Sequence, residues 1–269
     1  IILLINMVLK ISEACHQLKD VKLQLNRLKK EKKYKLIALI PARSGSQRIK
    51  DKNILKLFNK PLIAHSIIAA KKSKLFSSII VSTDSEKYSL ISKKYGASVP
   101  FLRPKNISTS ESSDYEWVKF TINKLKTEKG LKFTHFFVLR PTNPFRNYKT
   151  IIRAWKKFRK IKGADSLRAV EICKQHPGKM WKVRGKLIKP LIPNKIQKQP
   201  LHNLQFKSLP QVLIQNASLE ISKVEVLSLY KTITGRKIIP FYTTNDEGFD
   251  INYPEDLDYA NLLKRKKKL

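Results

Sequence analysis

The stretch IPARSGSQRIKDKN, residues 40–53, puts a Gly/Ser turn and the cations Arg43, Arg48, Lys50 and Lys52 directly after an apolar run. A triphosphate needs what such a turn offers: backbone N–H groups and a hydroxyl close to the phosphates, with long cations around them. Arg43, Ser46, Arg48 and Lys52 are the residues that could make those contacts. It is not a Walker loop, because GxxxxGK[ST] would require glycine where Lys50 stands, and the chain has no GxGxxG. Read alone, a basic turn after a strand is more often a solvated loop.

Other reactive residue types are sparse. The cysteines Cys15 and Cys173 and five scattered histidines show no CxxC or HxxxH spacing, which excludes a disulfide framework and gives no zinc pattern. His176, followed by Pro177, reads as a structural turn residue ahead of a general base. Asp84, after an apolar run, reads as a helix cap ahead of a ligand. Cys173 and Trp181 read as core.

The elements that must position these groups follow from periodicity. Short apolar runs at Leu36 to Ile40, Ile79 to Val81 and Phe136 to Leu139 read as strands buried on both faces, as in a parallel sheet. Between them lie helical stretches at Pro61 to Ser73 and Ser85 to Tyr95, the second stopping before Gly96. Ser113 and Glu116 form a capping-box pattern opening a helix through Val118, Ile122 and Leu125. A further helix has Ile151, Ile152, Trp155 and Phe158 inward, and a last one begins near Pro254 with acids in its first turn. Residues 176–210, rich in proline, read as an irregular insertion. The alternation predicts an α/β fold.

Composition sets the outer limits. In 269 residues there are 56 Lys or Arg against 20 Asp or Glu, a formal charge of +36, with 42% hydrophobic residues. That hydrophobic fraction supplies a sizeable core and argues against disorder. The lysines are spread along the whole chain without an aromatic-interleaved stripe, so solvated faces account for them and nucleic acid is not the expected partner. No apolar run approaches a membrane span of about 18 residues, and a cytoplasmic protein is expected. Residues 1–34 carry apolar positions in steps of three and four, a helical extension or sequence upstream of the true start. Residues 263–269 form a basic tail.

With these features on the page, a resemblance emerges. Residues 40–53 closely resemble the signature of the acylneuraminate cytidylyltransferases, which make CMP-activated sialic acids and related sugar acids. IIVSTD (79–84), FLRP (101–104), VLRPTNPFR (138–146), HPGK (176–179), QNASLEIS (215–222) and FDINYPEDLDYA (249–260) follow in that family's order, so the similarity covers residues 35 to about 262. The resemblance implies a three-layer α/β/α nucleotidyltransferase fold, Rossmann-like, over residues 35–262, with residues 176–210 as a small projecting element that packs across a homodimer. It implies nucleotide contacts from Arg43, Gly45, Ser46, Lys52, Asn53 and Arg103, sugar-acid contacts from Arg140, Thr142, Lys179 and Asn216, and Mg²⁺ held by Asp250 and Asn252. Arg43, Lys52 and Asp250 would then carry catalysis.

Four positions depart from the family pattern. Gln47 stands where a cation is usual, with Arg48 beside it. Arg140 and Asn143 sit in a segment that usually reads QPTSP. The metal motif, usually Asp-Ile-Asp, reads Asp250-Ile251-Asn252, and either residue could instead cap a turn before the last helix. The implied reaction is attack by the anomeric hydroxyl of a nonulosonic 2-keto sugar acid on the α-phosphorus of CTP, with release of pyrophosphate. The alternatives are the same reaction on the eight-carbon acid 3-deoxy-D-manno-octulosonate, or a catalytically impaired relative that binds polyanions.

Overall fold

The computed structural model describes residues 34–196 and 198–266, together with Leu18. The expectations for residues 1–34, apart from Leu18 and Tyr34, and for the end of the basic tail lie outside the described residues.

The central strand β1 (Leu36–Pro41) shows why the sheet is covered on both sides. Leu36, Ala38 and Ile40 point into one apolar cluster while Ile37 and Leu39 point into another, and all five are buried. Period-two alternation with two apolar faces is what a sheet between helical layers requires. Flanking β1 are β2 (Ser78–Ser82) and β3 (His135–Val138), both parallel to it. Beyond β3 come β7 (Leu213–Lys223), β4 (Ser166–Ile172) and β8 (Ile238–Tyr242), giving the order β8-β4-β7-β3-β1-β2. The expectation of a parallel sheet is corrected at β7, which runs antiparallel to both β3 and β4. Three-layer α/β/α architecture holds nonetheless. On one face α1 (Leu62–Ser73) and α4 (Tyr148–Lys160) bring Ile63, Ile67, Ile151 and Trp155 into the first cluster. On the other face α3 (Asp114–Lys129) brings Trp117, Val118 and Ile122 into the second.

Local signals set the helix ends. Ser113 and Glu116 close the expected capping box on α3, and Gly130, at φ 62°, takes the left-handed C-cap conformation that glycine accommodates. Helix α2 (Glu86–Lys94) is capped by the Ser85 side chain and not by Asp84, which leaves Asp84 for another task. The last helix, α5 (Pro254–Lys266), begins as the sequence predicts.

Residues 176–210 are less irregular than proline content implies. They contain a hairpin of β5 (Trp181–Arg184) and β6 (Leu187–Pro190), in which nearly every residue is exposed. Trp181 therefore lies on the surface, its ring 4.6 Å from that of His202, and the core expectation for it is corrected; Cys173 is buried as expected.

At the closed end of the sheet, His135 packs edge-on against Tyr34, Trp155 and Phe158, and burial pulls its imidazole down to about 4, assisted by Lys223. The unfolded chain, titrating near 6.5, thus takes up a proton that the folded chain refuses. The resulting stability is complete above pH 6.5 and is lost as pH falls towards 4. Unfolding by urea should show the natural chain losing roughly 2–3 kcal/mol more between pH 7 and pH 4.5 than His135→Phe does. Parallel losses in the two proteins would contradict this account of His135.

Candidate active site

The loop after β1 is held in shape by two carboxylates. Asp84 accepts hydrogen bonds from the Ser44 N–H and hydroxyl, each at 2.8 Å. Asp51, in the left-handed region at φ 53°, accepts from the Tyr88 hydroxyl at 2.9 Å and pairs with Lys87 at 3.1 Å. Lys87 and Tyr88 together keep the Asp51 carboxyl below its ordinary range, while burial beside that carboxylate pushes the Tyr88 phenol up. Inside the loop, the Asn53 amide donates to the Arg43 carbonyl at 3.1 Å. Thus the basic turn is a built structure rather than a solvated loop.

This loop forms one wall of a cleft of about 500 Å³ at the carboxyl ends of β1 and β3, through Arg43, Ser46, Lys52 and Asn53. Opposite lies a hydroxyl-rich wall, Thr109 to Asp114, leading into α3, with Trp117 behind it. Arg103 also lines the cleft; its guanidinium donates to the Ser82 hydroxyl and carbonyl and lies 5.1 Å from the Trp117 ring. Burial lowers the Arg103 guanidinium to about 10, so it stays charged at neutral pH. Lys52 is lowered too, chiefly by burial, with Asp250 opposing the shift.

A second lobe, of about 690 Å³, adjoins the first through the shared residues Arg140 and Thr142. Asn216, Gly248, Asp250 and Asn252 line it. Long-range hydrogen bonds fix it to the first: Ile251 N–H donates to the Thr142 carbonyl at 2.8 Å, and Lys52 Nζ donates to the Ile251 carbonyl at 2.9 Å. The Asn143 amide reaches the carbonyls of Glu247 and Phe249 at 2.9 and 2.7 Å. Asp250 Oδ2 accepts from the Asn252 amide at 2.7 Å, whereas Asp250 Oδ1 is buried without a partner. Asp256, in the first turn of α5, reaches back to accept from the N–H groups of Asn252 and Tyr253.

An unpartnered buried carboxylate oxygen is costly unless something outside the protein meets it. One carboxylate and an amide oxygen, completed by phosphate oxygens and water, fit a Mg²⁺ ion. Among the described residues no group of three His, Cys, Asp or Glu side chains could hold a metal unaided, so the substrate would have to supply the rest.

Arg140 differs from its expected role. Its guanidinium is paired with Asp114 and, at 3.0 Å, with Glu220, which also pairs with Arg168. Burial works against its charge, yet Glu220 and Asp114 hold it above its ordinary value. The fork is thus already engaged by two carboxylates of the chain itself, while Arg140 still lines both lobes. Beneath it, Arg146 is 1% exposed, with no carboxylate in ion-pair contact among the described residues. It donates to the carbonyls of Ser218 and Arg140 and to the Ser66 hydroxyl, and burial lowers it to about 9.

Of the residues expected from sequence, Arg43, Ser46, Lys52, Asn53, Arg103, Arg140 and Thr142 meet in the first lobe, and Asn216, Asp250 and Asn252 in the second. Gly45 is exposed and outside both walls. Lys179 is likewise outside both, its ammonium spent on the His202 carbonyl at 3.2 Å. Sequence reasoning gave no role to Asp114, Arg146 or Glu171, although Asp114 follows the α3 cap and Arg146 ends the VLRPTNPFR segment. Because Arg140→Gln would strand Asp114 and Glu220, it should lower unfolding free energy by about 2 kcal/mol, a partly exposed network losing less than a buried one. Unchanged urea stability would show the network to be ornamental.

Comparison with known proteins now bears on this geometry. Residues 37–162 match the family model described as Cytidylyltransferase. The N-acylneuraminate cytidylyltransferase of Escherichia coli O18:K1:H7 is 42% identical over 127 residues, 47% of this chain and 29% of that protein. The CMP-N,N'-diacetyllegionaminic acid synthase of Legionella pneumophila is 41% identical over 120 residues, 45% of this chain and 51% of that one. The matched stretch thus spans 29% and 51% of these two relatives. The post-translational flagellin modification protein B of Campylobacter coli is 28% identical over 87% of this chain and 97% of its own length. Among solved structures, a CMP:2-keto-3-deoxy-manno-octonic acid synthetase complexed with CTP superposes with a TM-score of 0.63 at 14% identity, over 87% of this chain and 99% of that one, which establishes the fold. Residues 37–162, which include the loop after β1, thus match the cytidylyltransferase family model.

Proposed function

We propose that this chain transfers CMP from CTP to a nonulosonic, sialic-acid-like 2-keto sugar acid and releases pyrophosphate. The observation that carries the reading is the two-lobed cleft in which Lys52, in the first lobe, is hydrogen-bonded through Ile251 to the segment presenting the unpartnered Asp250 oxygen in the second. CTP fits the first lobe, its phosphates among Arg43, Ser46 and Lys52. The sugar acid fits the second, with Asn216 beside it. The names of the relatives at 41–42% identity support a nonulosonic acid over an eight-carbon one.

In this reading the anomeric hydroxyl attacks the α-phosphorus in line and the bond to pyrophosphate breaks, so negative charge grows on the α-phosphate and on the leaving group. Arg43 and Lys52 stand where they can neutralise it, fixed in place by Asn53 and Ile251 before substrate arrives. Mg²⁺ held by Asp250 and Asn252 would supply Lewis-acid stabilisation of the phosphate oxygens. No helix of the described residues is long and apolar enough to cross a membrane, and we assign the reaction to the cytoplasm.

A homodimer belongs to the same proposal. Cross-strand pairing puts Trp181, Val183, Ile188 and Pro190 on one face of the β5–β6 hairpin and Lys182, Arg184, Leu187 and Lys189 on the other. Val183 is 77% exposed and Ile188 57%, an apolar face suited to a second copy, which would carry Lys179 towards the sugar lobe.

Pyrophosphate release with CTP, Mg²⁺ and a panel of sugar acids tests the reaction. Asp250→Ala should lower turnover at least ~100-fold with the fold intact by circular dichroism, since metal-centred charge stabilisation is worth several kcal/mol; near-normal turnover sinks the assignment. For the dimer, Val183→Lys combined with Ile188→Lys should yield a monomer in sedimentation with reduced turnover. A natural chain that is already monomeric and fully active at micromolar concentration refutes that part.

A further inference from the structure

Glu171, near the carboxyl end of β4, lines the second lobe, and none of the motifs discussed above includes it. Its side chain has no hydrogen bond or ion pair among the described residues, although donors line the same lobe. Each of those is already engaged. The Asn216 amide donates to the Thr243 hydroxyl at 2.8 Å, and the Arg140 guanidinium pairs with Asp114 and Glu220. Across the strand pair, Glu171 faces the apolar Ile214.

The surrounding backbone keeps it aimed inward. The pairing of β7 with β4 shifts register between Gln215 and Glu220, and this irregular stretch places Asn216 and Ala217 on the lobe wall. On the opposite side, a Cβ at Gly248 would stand 2.7 Å from Glu171 Oε2 and 2.6 Å from the Asn216 amide nitrogen. Any larger residue there would push both side chains away. Three elements thus converge on a half-buried acceptor whose side chain has no hydrogen-bond partner among the described residues.

We propose that Glu171 is the specificity-determining acceptor for a hydrogen-bond donor carried by the sugar acid away from its anomeric centre, the N–H of an acylamino group or a hydroxyl. This rests on assigning the second lobe to the sugar acid. A carboxylate there accepts from such donors and repels a second anionic substituent, so it selects among sugar acids without taking part in phosphoryl transfer.

The test uses the full chain with Mg²⁺, CTP and matched sugar acids that carry either an acylamino or hydroxyl substituent or hydrogen at the same position. Glu171→Gln and Glu171→Ala should raise the Michaelis constant for the substituted acid about tenfold or more, alter kcat less than about threefold and leave the constant for CTP unchanged. The natural chain's preference for the substituted acid over its deoxy analogue should collapse in Glu171→Ala. Glu171→Gln, nearly isosteric, keeps the test decisive if the alanine variant folds poorly. Unchanged constants in Glu171→Gln overturn the proposal while the cytidylyltransferase reading stands. A fall in kcat of about a hundredfold with constant KM overturns it in favour of a general base. Failure of the natural chain to release pyrophosphate with any sugar acid overturns the underlying reading and the proposal with it.

Discussion

The candidate site depends on a set of hydrogen bonds that fasten the chain's C-terminal region over the carboxyl ends of β1 and β3. Asn143, Thr142 and Lys52 bind the backbone of residues 247–251, and four such contacts span a hundred residues or more. Each neutral bond is worth only about 1 kcal/mol net, but leaving its buried partner unmade costs roughly 1–3 kcal/mol. A segment held by several of them therefore has one position. That position puts the Asp250 carboxylate beside the basic loop that follows β1, and neither half of the cleft has chemistry without the other. The Asn143 amide is 0% exposed and bonded on both sides, since its carbonyl accepts from the Arg146 N–H.

Arg146 gives the same region its rigidity from below. A guanidinium removed from water and lacking a carboxylate in contact is expensive, and burial lowers it to about 9. It is tolerated because it donates to the Ser218 carbonyl within β7, to the Arg140 carbonyl just past β3 and to the α1 hydroxyl of Ser66. Its field also reaches Asp250, so the orphaned carboxylate oxygen above has a buried cation below it. Lobe and floor are electrically complementary, which keeps an otherwise exposed deficit of hydrogen bonds affordable.

Local features of this fold were legible in the sequence and distant ones were not. The double-sided burial of β1, the capping box of α3 and the cationic loop at residues 40–53 depend on neighbours within a few positions. The direction of β7 depends on pairing with β3 and β4, and nothing in its own residues reports orientation. Asp84 looked like a cap because it precedes a helix by two residues; Ser85 took the cap, and Asp84 instead bonds Ser44, 40 positions away. Arg140 looked available for a ligand because its partners Asp114 and Glu220 lie 26 and 80 positions off. Trp181 looked like core because an aromatic residue carries no mark of which side of a hairpin it will occupy.

The departures at Arg140 and Asn252 act on the charge of the cleft in different ways. Arg140 places a cation where an amide is usual, but Asp114 and Glu220 cancel it within the chain, so the second lobe gains little positive potential. Asn252 stands where an acid is usual in the resembling pattern and spends its amide N–H on Asp250, while the neighbouring Asp256 carboxylate is engaged by backbone N–H groups. The metal motif is thus left with one full negative charge. Mg²⁺ commonly accepts one or two carboxylates provided that substrate phosphates and water complete its shell. On the proposed assignment, Asn252 would leave a larger share of that shell to the substrate phosphates than a pair of acids would.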